Sequence, residues 1–218
     1  MTKIKICGLT REQDVDAAVL AGADAIGFVM YASSPRVVSI ERAAELAKRL
    51  PPFVTPVLLF VNEQEANIHR ACESIPMALL QFHGDDANET PAFCQSFSRP
   101  YIKAARIGEA FDLVKYALDY ASAQALLLDT LASGYGGGGK TFNWNLFNWS
   151  QLSTNVKLPL VLSGGLNAHN VGEAIARLQP CAVDISSGVE SAKGIKDAVL
   201  MAQFIEAVRL ADSKKPMR

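Results

Sequence analysis

The chain has 218 residues, enough for one large domain or two small ones. Hydrophobic residues make up 50% and charged residues 20%, which supports a sizeable buried core and excludes a disordered chain. Lys and Arg total 21 against 22 Asp and Glu, a net charge of −1, without the basic excess expected of a nucleic-acid binder.

The start, MTKIKICGLTREQD, has no apolar core of a secretory signal. The longest apolar stretch, Pro51–Val61, is broken by prolines and falls far short of the roughly 20 residues of a membrane span. Four cysteines (Cys7, Cys72, Cys94 and Cys181) lie scattered, with no CxxC pair and no metal-ligand spacing. Free thiols in a reducing compartment fit better than a disulfide framework. The expectation is a soluble cytoplasmic protein with no metal, no membrane and no nucleic-acid partner; its oligomeric state stays open.

Short apolar, β-branched runs then alternate with amphipathic segments along the whole chain. The predicted strands are 3–7, 25–30, 55–61, 78–82, 101–105, 125–129, 160–163 and 182–186. The helical patterns between them fall near 12–21, 40–50, 64–74, 90–96, 111–120, 144–152, 168–178 and 195–210. The fourth is the weakest, short and polar, with Pro91 at a position that a first helical turn tolerates. Eight units of roughly 27 residues come close to the ~30 of a strand–helix repeat. Runs such as VLLFV and ALLLD read as strands buried on both faces of a parallel sheet. A doubly wound open sheet competes, but eight uninterrupted repeats favour a single-domain α/β (β/α)8 TIM barrel over residues 1–210. Residues 211–218 read as a flexible basic tail.

A barrel places its functional groups at the C-terminal ends of its strands. Cys7 ends the first strand; it is either inert packing or a thiolate base or nucleophile activated by nearby cations. Asp129 ends ALLLD, where an apolar setting favours the neutral carboxyl a general acid needs; a loop cap is the alternative. Arg36, after Ser34-Pro35, has the fork to hold a carboxylate, or is an ordinary surface arginine. His83 and Asp184 also stand at strand ends. Gly164-Gly165 and Ser186-Ser187-Gly188 precede helical turns, with Asn167 as a cap, and either bind phosphate or are plain turns. Gly134–Thr141, GYGGGGKT, fits the nucleotide loop GxxxxGK[ST] in letters only, because strand and helix do not abut it; a mobile lid or a plain flexible loop fits better. A nucleotide-binding protein would need Lys140, whereas a non-catalytic phosphosugar-binding barrel would bind without turnover.

Taken in order, KICGLT, SPR, LLQFHGD, LLLD followed by GGGGKTFNW, LSGGLNAHNV and VDISSGVE resemble the phosphoribosylanthranilate isomerase family from the first strand to the eighth. The resemblance implies a cofactor-independent Amadori rearrangement of N-(5-phosphoribosyl)anthranilate, a small phosphosugar, in tryptophan biosynthesis. It further implies Cys7 as general base and Asp129 as general acid, with Arg36 facing the anthranilate carboxylate. His83 and Asp184 would line the mouth, and Gly164, Gly165, Ser186, Ser187 and Gly188 would hold the phosphate. The chain departs from the family at Asn143, where Asp is frequent, at Ala168, where Pro is frequent, and in lacking a lysine just before Ser34. None of these removes a proposed acid, base or phosphate donor.

Overall fold

A computed structural model of the chain describes residues 1–108, 111–130 and 157–214. Eight parallel strands pair in chain order: β1 (Lys3–Cys7), β2 (Ala25–Val29), β3 (Thr55–Phe60), β4 (Leu79–Phe82), β5 (Tyr101–Ile107), β6 (Ala125–Thr130), β7 (Leu160–Leu162) and β8 (Ala182–Ile185). The ring closes where β1 meets β8, so the expected barrel forms rather than the open sheet. Helices α1 (Glu12–Ala21), α2 (Ile40–Ala47), α3 (Glu65–Ser74), α4 (Pro91–Ser96) and α5 (Leu113–Asp119) follow the first five strands. Helices Val171–Leu178 and Ala198–Ser213 follow β7 and β8. The lid motif Gly134–Thr141 and the helix expected over 144–152 lie outside the described residues.

Strand alternation sorts the side chains. Ile4, Ile6, Phe28, Phe60, Leu80 and Phe82 join the main core between barrel and helices. The opposite parity faces inward. Ile102, Ala104, Ala125, Leu127 and Val161 fill the barrel toward the strand starts, each large one contributing about 1.5–3 kcal/mol by burial. Higher up, the same inward parity carries Cys7, His83, Asp129 and Asp184. An apolar floor therefore lies beneath a polar mouth.

Even the short α4 is well anchored. Thr90 Oγ1 accepts the N–H of Phe93 at 3.2 Å, a cap worth about 1 kcal/mol. Phe93 and Phe97 pack on Phe82, with ring centroids 6.0 and 5.8 Å apart.

Among the boundaries that differ from expectation, three lie in the last two units. The helix after β7 begins at Val171, and Asn170, not Asn167, stands at its N-cap; Asn167 Oδ1 instead accepts the N–H groups of His169 and Asn170 in the turn before it. The last helix begins at Ala198 because Asp197 caps it, accepting from the N–H groups of Val199 and Leu200 at 2.8 and 3.0 Å. Ahead of that cap lies a hairpin the sequence pattern does not reveal, β9 (Glu190–Ala192) with β10 (Ile195–Lys196), turning at Gly194 with φ +79. The last helix also continues to Ser213. Asp212 accepts the N–H and hydroxyl of Thr2 at 2.6 and 2.7 Å, so residues 211–213 are helix rather than tail. Among the described residues, no helix is long and apolar enough to cross a membrane.

Candidate active site

Cys7 ends β1 opposite Gly27 of β2 and is 4% exposed. Two residues earlier on the same inward face stands Lys5, which pairs in register with Asp184 of β8. Their side chains meet at 2.8 Å, Lys5 Nζ to Asp184 Oδ1, with both buried. Burial alone would lower the Lys5 ammonium, but the charges of Asp184 and Cys7 outweigh it and hold it at about 12. Burial pushes the Cys7 thiol up, and Lys5 pulls against that rise.

Arg36 reaches the same wall from the turn after β2. Gly8, at φ +79, has no side chain to collide with the stem of Arg36. The guanidinium grips Glu190 of β9 through Nε and Nη2 at 2.7 and 2.8 Å. Its fork toward Glu190 is thus engaged, leaving the Nη1–Nη2 edge for a second carboxylate. Lys196 of β10 donates to Glu190 at 2.7 Å and to the carbonyl and hydroxyl of Ser186 at 3.0 and 3.2 Å. Ser186 Oγ donates in turn to the Cys7 carbonyl at 2.9 Å. Burial alone would raise Glu190, yet the hydrogen bonds from Arg36 and Lys196 hold its carboxyl below the ordinary value. Burial lowers the Lys196 ammonium, against the pull of Glu190.

On the far wall, Asp129 of β6 is buried, and His83, just beyond β4, brings Nε2 to 3.2 Å from Asp129 Oδ2 without hydrogen-bond alignment. Gln81 Nε2 lies 3.2 Å from His83 Nδ1. Behind His83, Glu89 accepts the N–H groups of Gly84 and Asn62 at 2.7 and 2.9 Å. Lys103 closes this clamp, donating to Glu89 and to the Gly84 carbonyl at 2.8 and 2.9 Å, with both charged side chains fully enclosed.

The two glycine-bearing loops adjoin. A side chain on Gly188 would strike the Leu166 carbonyl, so the short 3-10 turn Ser187–Val189 lies directly on the chain after Gly164 and Gly165. Of the five residues expected at phosphate, Ser186 has its hydroxyl turned to Cys7 and Lys196, and the Gly165 carbonyl accepts from Asn170 Nδ2 at 3.0 Å.

The predicted Cys7, Asp129, Arg36, His83, Asp184 and both loops therefore gather at one end of the barrel. Lys5, Gln81, Glu89, Lys103, Glu190 and Lys196 were not singled out. Strand parity marks Lys5, two residues before Cys7; Glu190 and Lys196 sit on a hairpin too short for a periodic signal.

A buried thiol and a buried carboxyl on two walls, with paired glycine loops on a third, are the arrangement of a (β/α)8-barrel enzyme with its site at the strand C-termini. Residues 4–207 match the family model described as N-(5'-phosphoribosyl)anthranilate isomerase, and the chain belongs to that family. It is 61% identical to the N-(5'-phosphoribosyl)anthranilate isomerase of Leptothrix cholodnii, over 98% of this chain and 93% of that one. It is 59% identical to that of Methylibium petroleiphilum, over 98% and 96%. The crystal structure of phosphoribosyl anthranilate isomerase from Thermotoga maritima matches with a TM-score of 0.86 and 39% identity, over 96% of this chain and 99% of that one. Another, in complex with reduced 1-(o-carboxyphenylamino)-1-deoxyribulose 5-phosphate, matches with a TM-score of 0.80 and 36% identity, over 96% and 99%.

Proposed function

We propose that the chain isomerises N-(5'-phosphoribosyl)anthranilate to 1-(2-carboxyphenylamino)-1-deoxyribulose 5-phosphate, in tryptophan biosynthesis, with Asp129 as general acid and Cys7 as general base. Asp129 gives its proton to the furanose ring oxygen; the C1–O bond breaks and nitrogen lone-pair density makes an iminium ion. The Cys7 thiolate then removes the acidified C2 proton, and the C–H electron pair forms the enolamine, which tautomerises to the ketone. C1 is reduced as C2 is oxidised within one molecule, so the steps balance without an outside oxidant. Arg36 receives the anthranilate carboxylate on its remaining edge. The loops at Gly164-Gly165 and Ser186–Gly188 hold the phosphate through backbone N–H groups.

The observation that carries this reading is a buried thiol beside an enclosed ammonium on one wall and a buried carboxyl on another, both at the substrate-facing end. The test is turnover of freshly generated phosphoribosylanthranilate. Asp129→Asn and Cys7→Ser should each lose about 10²–10⁴-fold in kcat while inorganic phosphate binds as before. Full activity in either variant would remove that residue's role. Arg36→Met should raise KM about tenfold or more through the lost charged hydrogen bonds; unchanged constants would sink the carboxylate assignment.

A further inference from the structure

Among the described residues, the mouth holds an enclosed cation on the barrel's own strands that neither substrate anchoring nor proton delivery requires. Lys5 lies on the inner face of β1, fully paired with Asp184 and cut off from solvent. Enclosing such a pair carries a desolvation penalty of several kcal/mol per ion, and an apolar residue of similar length would fill the site. What distinguishes the position is its neighbour. Cys7 projects from the same face two residues on, and its partner across the sheet is Gly27. A Cβ at Gly27 would fall 2.7 Å from Cys7 Sγ and 3.1 Å from Lys5 Cε. The thiol and the lysine stem therefore share the space that this missing side chain leaves, which brings the ammonium's charge to bear on the sulfur.

We propose that the Lys5–Asp184 pair sets the proton affinity of Cys7, Lys5 holding the thiolate and Asp184 limiting that hold. The proposal rests on the reading of Cys7 as the base and makes Lys5 a positioning residue. Lys5 itself stays protonated, since Asp184 and the sulfur hold its ammonium at about 12 against the pull of burial. Among the described residues, four charged groups face the thiol: Lys5 from its own strand, Asp184 from β8, Lys196 from β10 and Arg36 from the turn after β2. Lys196 and Arg36 share Glu190 and remain in place when the pair is altered. The attraction of Lys5 for the thiolate outweighs the repulsion of Asp184, so removing both charges leaves the thiol harder to ionise.

The experiment is a pH titration of the carbon-13 Cβ resonance of Cys7, assigned by its absence in Cys7→Ser, with the acid limb of kcat/KM measured alongside. The Cys7 midpoint should be highest in Lys5→Met, about one pH unit or more above wild type. The double variant Lys5→Met/Asp184→Asn should come next, then wild type, and Asp184→Asn should fall below wild type. If Lys5→Met does not fold because Asp184 is left unpaired, the double variant and Asp184→Asn decide. Midpoints in these two that equal the wild-type value would overturn the proposal. Midpoints that move in the stated order while the acid limb of kcat/KM stays fixed would uphold the tuning pair and refute Cys7 as the base.

Discussion

The two walls of the barrel mouth are built on opposite plans. Around Cys7, on β8, β1, β2 and the β9–β10 hairpin, charged groups line the interior itself: Lys5 with Asp184, and Arg36 and Lys196 with Glu190. Around Asp129, on β4 to β6, the inner face carries the His83 ring and, behind it, the Gln81 amide, together with Arg106, the register partner of Asp129 on β5. The enclosed ion pair of that half, Lys103 with Glu89, lies behind the strands, beside Tyr120 and under α4. The contrast follows from the charge each group must carry. A thiol becomes useful only on ionising, so cations belong in contact with it; in the Asp129 half the enclosed lysine–carboxylate pair is instead kept behind the strands. An ion pair on the outer face serves geometry instead, fixing the chain just past His83 through both the N–H and the carbonyl of Gly84.

The comparison breaks most visibly at Lys103. Lys103→Met leaves Glu89 enclosed with two N–H donors and no cation, which should cost about 3–5 kcal/mol in urea unfolding. Lys103→Met/Glu89→Gln should recover part of that loss, and neither change should move the Cys7 titration. A shift in that titration would show that the two halves are coupled. A loss in Lys103→Met within about 1 kcal/mol would show that the outer pair is no clamp. Next in size is Gly27→Ala. Its methyl must displace the Cys7 sulfur, so kcat should fall about tenfold or more with KM unchanged, since small misplacements of a reacting group are costly. Unchanged kcat would mean that the thiol's exact seat is unimportant.

Much of this arrangement was legible in one dimension. The strand–helix alternation gave the barrel, and a barrel sends strand ends to one mouth, so Cys7, His83, Asp129 and Asp184 were found by position alone. The supporting charges were not, for reasons of parity and path. Lys5 and Lys103 both occur in strands, and nothing in composition says that one faces the barrel interior and the other the helix layer while both are buried. Counting back from Cys7 in steps of two settles Lys5. No such count finds Glu89, which sits in a loop whose course is set by Asn62, Gly84 and Lys103, residues distant in sequence from one another. The hairpin was missed because its strands have three and two residues, and because Ile195 and Lys196 blend into the apolar pattern of the helix that Asp197 actually caps.

The smallest expected effect concerns acid stability, and it again separates the walls. Arg36 and Lys196 overcome burial to hold Glu190 below the ordinary carboxylate value in the folded chain. A carboxyl with a depressed folded value adds stability that is present above its unfolded value and is lost as pH falls through the folded one. Unfolding free energy should therefore decline with acidification below the ordinary carboxylate range. Glu190→Gln should make that decline shallower by on the order of 1 kcal/mol or less, since the carboxylate remains partly screened. Above that range the same variant should be less stable than wild type, because Arg36 and Lys196 then face each other without their shared anion. Identical acid slopes for the two proteins would mean that Glu190 is not the group whose protonation loosens the Cys7 wall.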